Sequence, residues 1–498
     1  MKKFLNKLNL QNNITWVYII SVLFIALNAV FIVSEWYYGL IIPFIILILA
    51  FAIFALDKLV MLILFMVPLS IPLLDLVPNV EFDMYLPTEP LLAGILILFI
   101  AKLLFDQNFD KKIAYHPVSI AIYINLFWIL VTSITSTMPL VSFKFFMARL
   151  WFLAAFYFIA SQLFKKPKNI HRFTWLYVLP LLIVIAYTIT RHIKFGIYDQ
   201  DVANFVPNPF FSDHTSYGAV LAMFLPVMIG LAFTRKYKPY VKVIIWAIIV
   251  ILLIAIILSY TRATWVSLVI ALGFFILLLL KARFRFVMLL LGMAITVFLI
   301  FRVDIMLKLE ENRQDSSANI SEHIKSISNV TSDASNLERL NRWYCAFRMF
   351  KQKPVFGWGP GTYMFQYAPF QFSYEKTIIS TNAGDLGNAH SEYIGPLAES
   401  GLLGSLSFLM IVFIALYTGM KVIRQAQNRE IKIIATSVLL GLVTYFVHGG
   451  LNNFLDTDKA SAPFWGFVAI LVAIDVYHNK KGKEDSSEEV NEKPDQVL

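Results

Sequence analysis

The feature that most constrains this chain is a succession of long apolar runs. A stretch of about 17 or more apolar residues has the length of a helix that crosses a bilayer. Such runs recur at about 16–34, 37–56, 59–77, 88–105, 118–135, 143–164, 173–190, 215–234, 241–259, 264–280, 284–301, 400–420, 432–449 and 462–478. Strands of a membrane barrel would alternate apolar and polar residues, whereas Ile41 to Leu56 is apolar throughout. The pattern predicts an all-α polytopic membrane protein with about 12–14 transmembrane helices. Composition agrees: 58% of the 498 residues are hydrophobic and 15% are charged, against about a quarter charged in soluble domains. That balance excludes a disordered protein, a disulfide scaffold and a nucleic-acid binder. The single Cys345 excludes an internal disulfide and a cysteine-based metal cluster. Lys2, Lys3 and Lys7 form a basic lead into the first run, as in a signal peptide, but the run is long and no small-x-small site follows it, so a retained helix is expected.

Charge sets the orientation. With the N-terminus inside and the spans alternating, 26 of the 42 lysines and arginines fall on the inner side, and ten of the other 16 lie in one long loop. Long loops do not count in the positive-inside rule, so both termini are expected in the cytoplasm and the net charge of +10 is mainly a topology signal. The chain then divides into transmembrane helices 1–11 over 1–301, a large extracytoplasmic loop with helices over 302–399, helices 12–14 over 400–478 and a disordered cytoplasmic tail over 479–498. Within the loop, 310–336 is polar and expected to be loose. A helix is predicted from Asn336–Glu338 to Pro354, with Arg339, Trp343, Phe347 and Phe350 at helical spacing.

Ionisable residues near the outer ends of membrane helices are functional candidates by default. Arg262 stands in Ser259-Tyr260-Thr261-Arg262-Ala263-Thr264-Trp265, a link of a few residues between two apolar runs. A guanidinium there can hold a phosphate bidentately, or snorkel to lipid headgroups beside Trp265. Arg191 ends the seventh run on the same side, where it is either a second anion ligand or an ordinary helix-terminal arginine; His192 and Lys194 beside it are weaker candidates. His214 follows Ser212-Asp213 at the start of the eighth run, as a site lining or as part of a helix cap. His390, in Asn388-Ala389-His390-Ser391-Glu392-Tyr393, is suited to accept a proton near neutral pH. Glu392 and Glu399, seven residues apart, could share a helical face with it. The glycine-rich Gly357-Trp358-Gly359-Pro360-Gly361 lacks the lysine and hydroxyl of a phosphate-binding loop and reads better as a tight turn. No histidine pair at helical spacing supports a zinc site.

Taken together, these segments resemble the O-antigen ligase and oligosaccharide polymerase family. His390, Tyr393, then Leu397-x-Glu399-x-Gly401 and Gly404 are similar to its signature. Arg339, Trp343, Pro354, the three glycines and Tyr363 are similar to the segment upstream of it. Ser259 to Trp265 resembles its Ser-Arg-x-x-Trp element. The resemblance covers about Asn208 to Asn453 and implies a glycosyltransferase C-like membrane enzyme. Such an enzyme transfers a glycan from undecaprenyl diphosphate to an acceptor hydroxyl, such as lipid A core, at the periplasmic face of the bacterial inner membrane, with no cofactor or metal. It further implies His390 as the catalytic residue and Arg262 and Arg191 as diphosphate ligands, Arg191 by position alone. His214, Arg339, Tyr393 and Glu399 would support them. The implied partners are the lipid-linked donor, the acceptor and membrane lipids, with no nucleic acid. Two departures stand out: Ser391 follows His390 where the family usually has Asn, and the loop before His390 is long. A repeat-unit polymerase and a protein O-oligosaccharyltransferase of the same family remain open, as does, at a greater distance, a polysaccharide transporter or flippase.

Overall fold

A computed structural model describes residues 14–34, 56–77, 84–105, 109–311, 334–375 and 387–478. Residues 1–59 and 60–498 form two separate units. The first contains helix α1 (Ile14–Val33), which carries the first predicted span; the second span lies outside the described residues. Helix α2 (Leu56–Met66) is only 11 residues long, and the third predicted span therefore does not continue as one helix. Pro68 falls in a 3-10 turn, and Ile71–Pro72 pairs antiparallel with Tyr85–Leu86 in a two-residue ribbon. Proline cannot extend the helical hydrogen-bond ladder.

Among the described residues ten helices are long and apolar enough to cross a membrane. They are α3 (Thr88–Phe105), α4 (Pro117–Ile134), α5 (Pro139–Leu163), α6 (Pro167–Phe195), α7 (His214–Phe233), α8 (Pro239–Leu258) and α9 (Arg262–Leu279). After α10 (Phe284–Glu311) and α11 (Ala334–Gln352) come α12 (Gly395–Gln425), α13 (Arg429–His448) and α14, which runs as an α-helix over Asp458–Ala473 and ends in a π-turn. The all-α polytopic expectation is what the fold shows. Proline occupies the first position of α4, α5, α6 and α8, where its missing N–H is no loss and its φ is already helical.

Helices α7, α13 and α14 form the centre. Gly230 of α7 lets the backbone lie against Ser437 of α13, because a Cβ there would stand 2.5 Å from the serine Cβ. Close approach through small residues is the means by which helices associate in lipid, where apolar surface gives no preference for a neighbour. Charged groups bind the two ends of the bundle. At one end Lys421 and His116 meet Asp475 at 2.8 and 3.3 Å. At the other, Asp458 accepts from Ser70 and Thr88, both at 2.6 Å, and Lys459 donates to the carbonyls of Val67 and Ser70 at 2.6 and 2.7 Å. The second set ties the ribbon to the start of α14.

Between α10 and α12, α11 packs as predicted but through a different face. Phe347 is exposed, whereas Glu338, Arg342, Cys345, Ala346 and Met349 are buried. The reason is a buried guanidinium: Arg342 pairs with Glu338 at 2.8 Å and lies 3.8 Å from the ring centre of Tyr367, which turns that stripe inward. Tyr363, Tyr367 and Phe370 complete this small core.

Candidate active site

His390 stands on a turn held in place by its neighbours. Its φ is +49°, a left-handed value that side-chain-bearing residues seldom adopt. The Asn388 side chain accepts its N–H at 3.0 Å. Next, the Ser391 hydroxyl accepts from the N–H groups of Tyr393 and Ile394, each at 3.3 Å, and so closes the turn that leads into α12. Glu392 is buried and accepts three hydrogen bonds: from the Tyr445 hydroxyl at 2.7 Å and from the N–H groups of Phe454 and Leu455 at 2.8 and 2.9 Å. Burial nevertheless holds its carboxyl above the usual range, with Arg149 opposing the shift. Tyr393 donates to the carbonyl of Phe446 at 2.7 Å. The whole turn is thereby fixed to the end of α13 and to loop 449–457.

The same loop brings in the polar surroundings of the histidine. Arg339 donates to the carbonyl of Leu451 at 3.2 Å. Asn452, buried, meets Nε2 of His448 at 3.1 Å. The His390 pKa falls to about 3: burial contributes most, followed by the positive charges of Arg339 and Arg342, with Asp213 and Asn452 acting in the opposite direction. The imidazole is thus neutral at neutral pH, with an acceptor nitrogen in a positively charged setting.

Asp213 and His214 start α7. Asp213 caps the helix by accepting the N–H of Ser216 at 2.7 Å, as its position before the run predicts. The carbonyl of His214 accepts the Thr261 hydroxyl at 2.9 Å, so the link before α9 rests on the start of α7. Tyr260 in that link also has a left-handed φ, +50°, and its hydroxyl donates to Ile197 at 3.3 Å. Arg262 follows as the first residue of α9, partly buried. The structure therefore places Arg339, Arg342 and Asp213 where their charges act on His390, and sets Arg262 one residue from the Thr261–His214 contact.

Arg191 has other engagements. Its Nη1 donates to the Tyr187 hydroxyl at 3.0 Å, to the carbonyl of Val206 at 3.2 Å and to that of Asn208, while the guanidinium lies over the rings of Tyr187, Phe195 and Phe205. It holds the loop that leads to His214. His192 is buried against the carbonyl of Asp199, at 3.3 Å.

Glu392 and Glu399 do not share a face with His390. The segment 390–394 is a turn and α12 starts only at Gly395, so helical spacing does not extend back to the histidine. Glu399 instead receives the N–H of Tyr363 at 3.1 Å, and its carbonyl receives that of Gly359 at 2.8 Å. The glycine-rich segment is a turn docked on the first turns of α12. Gly357 and Gly401 have φ of +68° and +67°, and a Cβ on Gly401 would lie 2.1 Å from the carbonyl oxygen of Val355. Its N–H groups face protein carbonyls and a carboxylate, as the tight-turn reading expects. Among the described residues no group of three or more His, Cys, Asp or Glu is arranged to hold a metal.

Sequence reasoning missed Arg342, His448 and Asn452 at this site. Arg342 carried a signal, since it lies one turn from Arg339. Asn452 sits in Gly449-Gly450-Leu451-Asn452-Asn453, a polar break after an apolar run that looks like any loop until the partner of Leu451, Arg339, 112 residues earlier, is known. Residues 247–409 match the family model described as O-antigen ligase, and a comparison with curated proteins finds no match. The matched segment contains Arg262, Arg339, His390 and Glu399; Arg191, His214 and loop 449–457 lie outside it.

Proposed function

We propose that the protein is an O-antigen ligase-type membrane glycosyltransferase, a reading supported by the match of residues 247–409 to that family model, and that it moves a glycan from undecaprenyl diphosphate to an acceptor hydroxyl. The acceptor class is lipid A core or a similar saccharide, at the periplasmic face of the bacterial inner membrane. The observation that carries this reading is that the matched segment holds Arg262, Arg339 and His390, with the His390 N–H held by Asn388 and Arg339 bound to the Leu451 carbonyl of the loop on which the His390 turn rests. In this reading His390 accepts the proton of the acceptor hydroxyl as its oxygen attacks the anomeric carbon. The bond to the diphosphate oxygen breaks, the electron pair leaves with the diphosphate, and the anomeric configuration inverts. Arg262 and the cations of α11 neutralise the leaving group, which is where charge develops. Arg191 contributes by holding the 205–208 loop.

Charge explains why an imidazole of low basicity suits this task. Before the donor binds, the guanidiniums disfavour a proton on His390 and keep it an acceptor. The negative diphosphate offsets those charges when the donor binds and raises the proton affinity of the ring. The test is transfer by purified protein in detergent, with a defined undecaprenyl-diphosphate glycan and a hydroxyl acceptor. His390→Ala should lower the rate by about 10²–10⁴-fold; near-normal transfer by that variant overturns the assignment. The product distinguishes lipid A core, lengthened lipid-linked glycan and glycoprotein as acceptors.

A further inference from the structure

Buried tyrosines in this bundle place the hydroxyl on a partner at 2.6–2.7 Å. Tyr157 meets the Ser119 hydroxyl, Tyr177 donates to the carbonyl of Lys459, Tyr363 to that of Arg342, and Tyr445 to the Glu392 carboxylate. Thr132, Thr174 and Thr444, buried within helices, return the hydroxyl to a carbonyl of the preceding turn, those of Trp128, Ile170 and Gly441. Thr188 of α6 and Tyr217 of α7 do neither. They are 5% and 2% exposed, and neither hydroxyl meets a protein group at hydrogen-bond geometry. A buried polar group without a partner is destabilising, so one that no protein group serves is normally met by an ordered water.

Both residues line the same cavity, whose volume of about 10 Å³ is the room that a single water molecule takes. His192 of α6, His214 of α7, Val206 of the loop between those helices and Ser259 of the link before α9 form part of its wall. A purely apolar cavity of this size stays dry, whereas a water needs two to four polar partners. Two hydroxyls from different helices supply the minimum. We propose that the cavity is a binding site for one water molecule, which hydrogen-bonds Thr188 Oγ1 and the Tyr217 hydroxyl and so bridges α6 to α7. The bridge stands beside two segments that matter to the candidate site. Val206 belongs to the loop that Arg191 holds, through its carbonyl at 3.2 Å, and Ser259 opens the link that leads to Arg262. The inference does not depend on the proton transfer assigned to His390.

The test is a structure of the full-length protein in detergent, at a resolution that shows ordered water, together with thermal unfolding of Thr188→Val and Tyr217→Phe. Each substitution removes a hydroxyl and keeps the shape of the side chain. The expected result is solvent density within hydrogen-bond distance of both hydroxyls. Each variant should then unfold about 1–3 °C below the wild type, because a bridging water counts nearly as much as a direct bond. A cavity without density overturns the proposal, as does a direct bond between the two hydroxyls. The sign of the stability change is a second reading. With no water in place, each substitution deletes a buried hydroxyl that bonds nothing, and the variant unfolds at or above the wild-type temperature; that result also overturns the proposal. If a variant does not fold, the density in the wild-type protein decides the matter alone.

Discussion

Helices α7 and α8 follow one another and are each 20 residues long, yet they sit in opposite environments. Of their most apolar 18 residues, 83% are buried inside the protein in α7 and 33% in α8. The more buried helix is the less apolar one. Helix α8 is almost wholly Ile, Leu, Val and Ala after its first turns, whereas α7 carries Ser216, Tyr217, Gly218, Pro226 and Gly230. In water the reverse would hold. In a bilayer the surroundings are as apolar as leucine, so Ile and Leu gain nothing by turning inward, and small and polar groups gather where they can touch. The candidate site lies at the end of the bundle where α7 begins, and most of α8 is a lipid-facing wall.

That contrast predicts a graded set of outcomes. The largest stability loss belongs to Glu392→Ala, which strips the partner from a buried hydroxyl and two buried N–H groups. At about 1–3 kcal/mol per orphaned donor, with partial relaxation, a loss of about 3 kcal/mol is expected in detergent unfolding; an unchanged midpoint would show that loop 449–457 does not depend on this carboxylate. Arg262→Lys comes next. A lysine keeps the charge and loses the two-pronged geometry, and removal of one charge-assisted hydrogen bond, about 1.5–3 kcal/mol, should lower kcat/KM for the lipid-linked donor by about tenfold or more. Full activity in that variant would count against diphosphate clamping.

Gly230→Leu against Gly273→Leu tests the two environments directly. A side chain at Gly230 meets Ser437 at once, whereas Gly273 on α9 has nothing within 4 Å of the added Cβ. Overpacking costs about 1–3 kcal/mol, and the Gly273 change should leave thermal stability in detergent near that of the wild type. The smallest effect is expected from pH. His390 has a folded pKa of about 3, below the ordinary value near 6.5. Above about pH 6.5 both folded and unfolded chains hold it neutral, and it contributes nothing to the pH dependence. As pH falls below that, the unfolded chain takes up a proton that the folded chain refuses, so stability declines. Thermal unfolding at pH 7.5 and pH 5 should show a smaller drop for His390→Gln than for wild type.

Much of this was legible in the residues themselves. The apolar runs at 88–105 and 215–234 became α3 and α7 because helix formation inside a bilayer depends on a run of apolar side chains and little else. Asp213 announced the cap of α7, and Pro354 the end of α11. Where local pattern and structure part, a distant contact is responsible. The run at 59–77 is apolar enough to span, but Ser70 is needed by Asp458 and Lys459, nearly 390 residues away. Arg191 stands at the outer end of a span as an anion ligand would, yet its guanidinium is engaged by the carbonyls of Val206 and Asn208. Glu392 looked like a companion of His390 and serves Phe454 and Leu455.

By itself the sequence determined the class of molecule, the order of most of its described membrane helices, and the local motifs around Arg262 and His390. These depend on how each side chain interacts with lipid or water, and on neighbours a few positions away. Only the tertiary structure decided that the His390 turn is fixed to loop 449–457 through Glu392, that Arg339 reaches Leu451 of that loop, and that Glu399 fastens the glycine turn. Hydropathy is a property of a residue, but a hydrogen bond is a property of a pair. Tyr363 with Glu399 and Arg339 with Leu451 join positions 36 and 112 residues apart, and only packing brings them within reach.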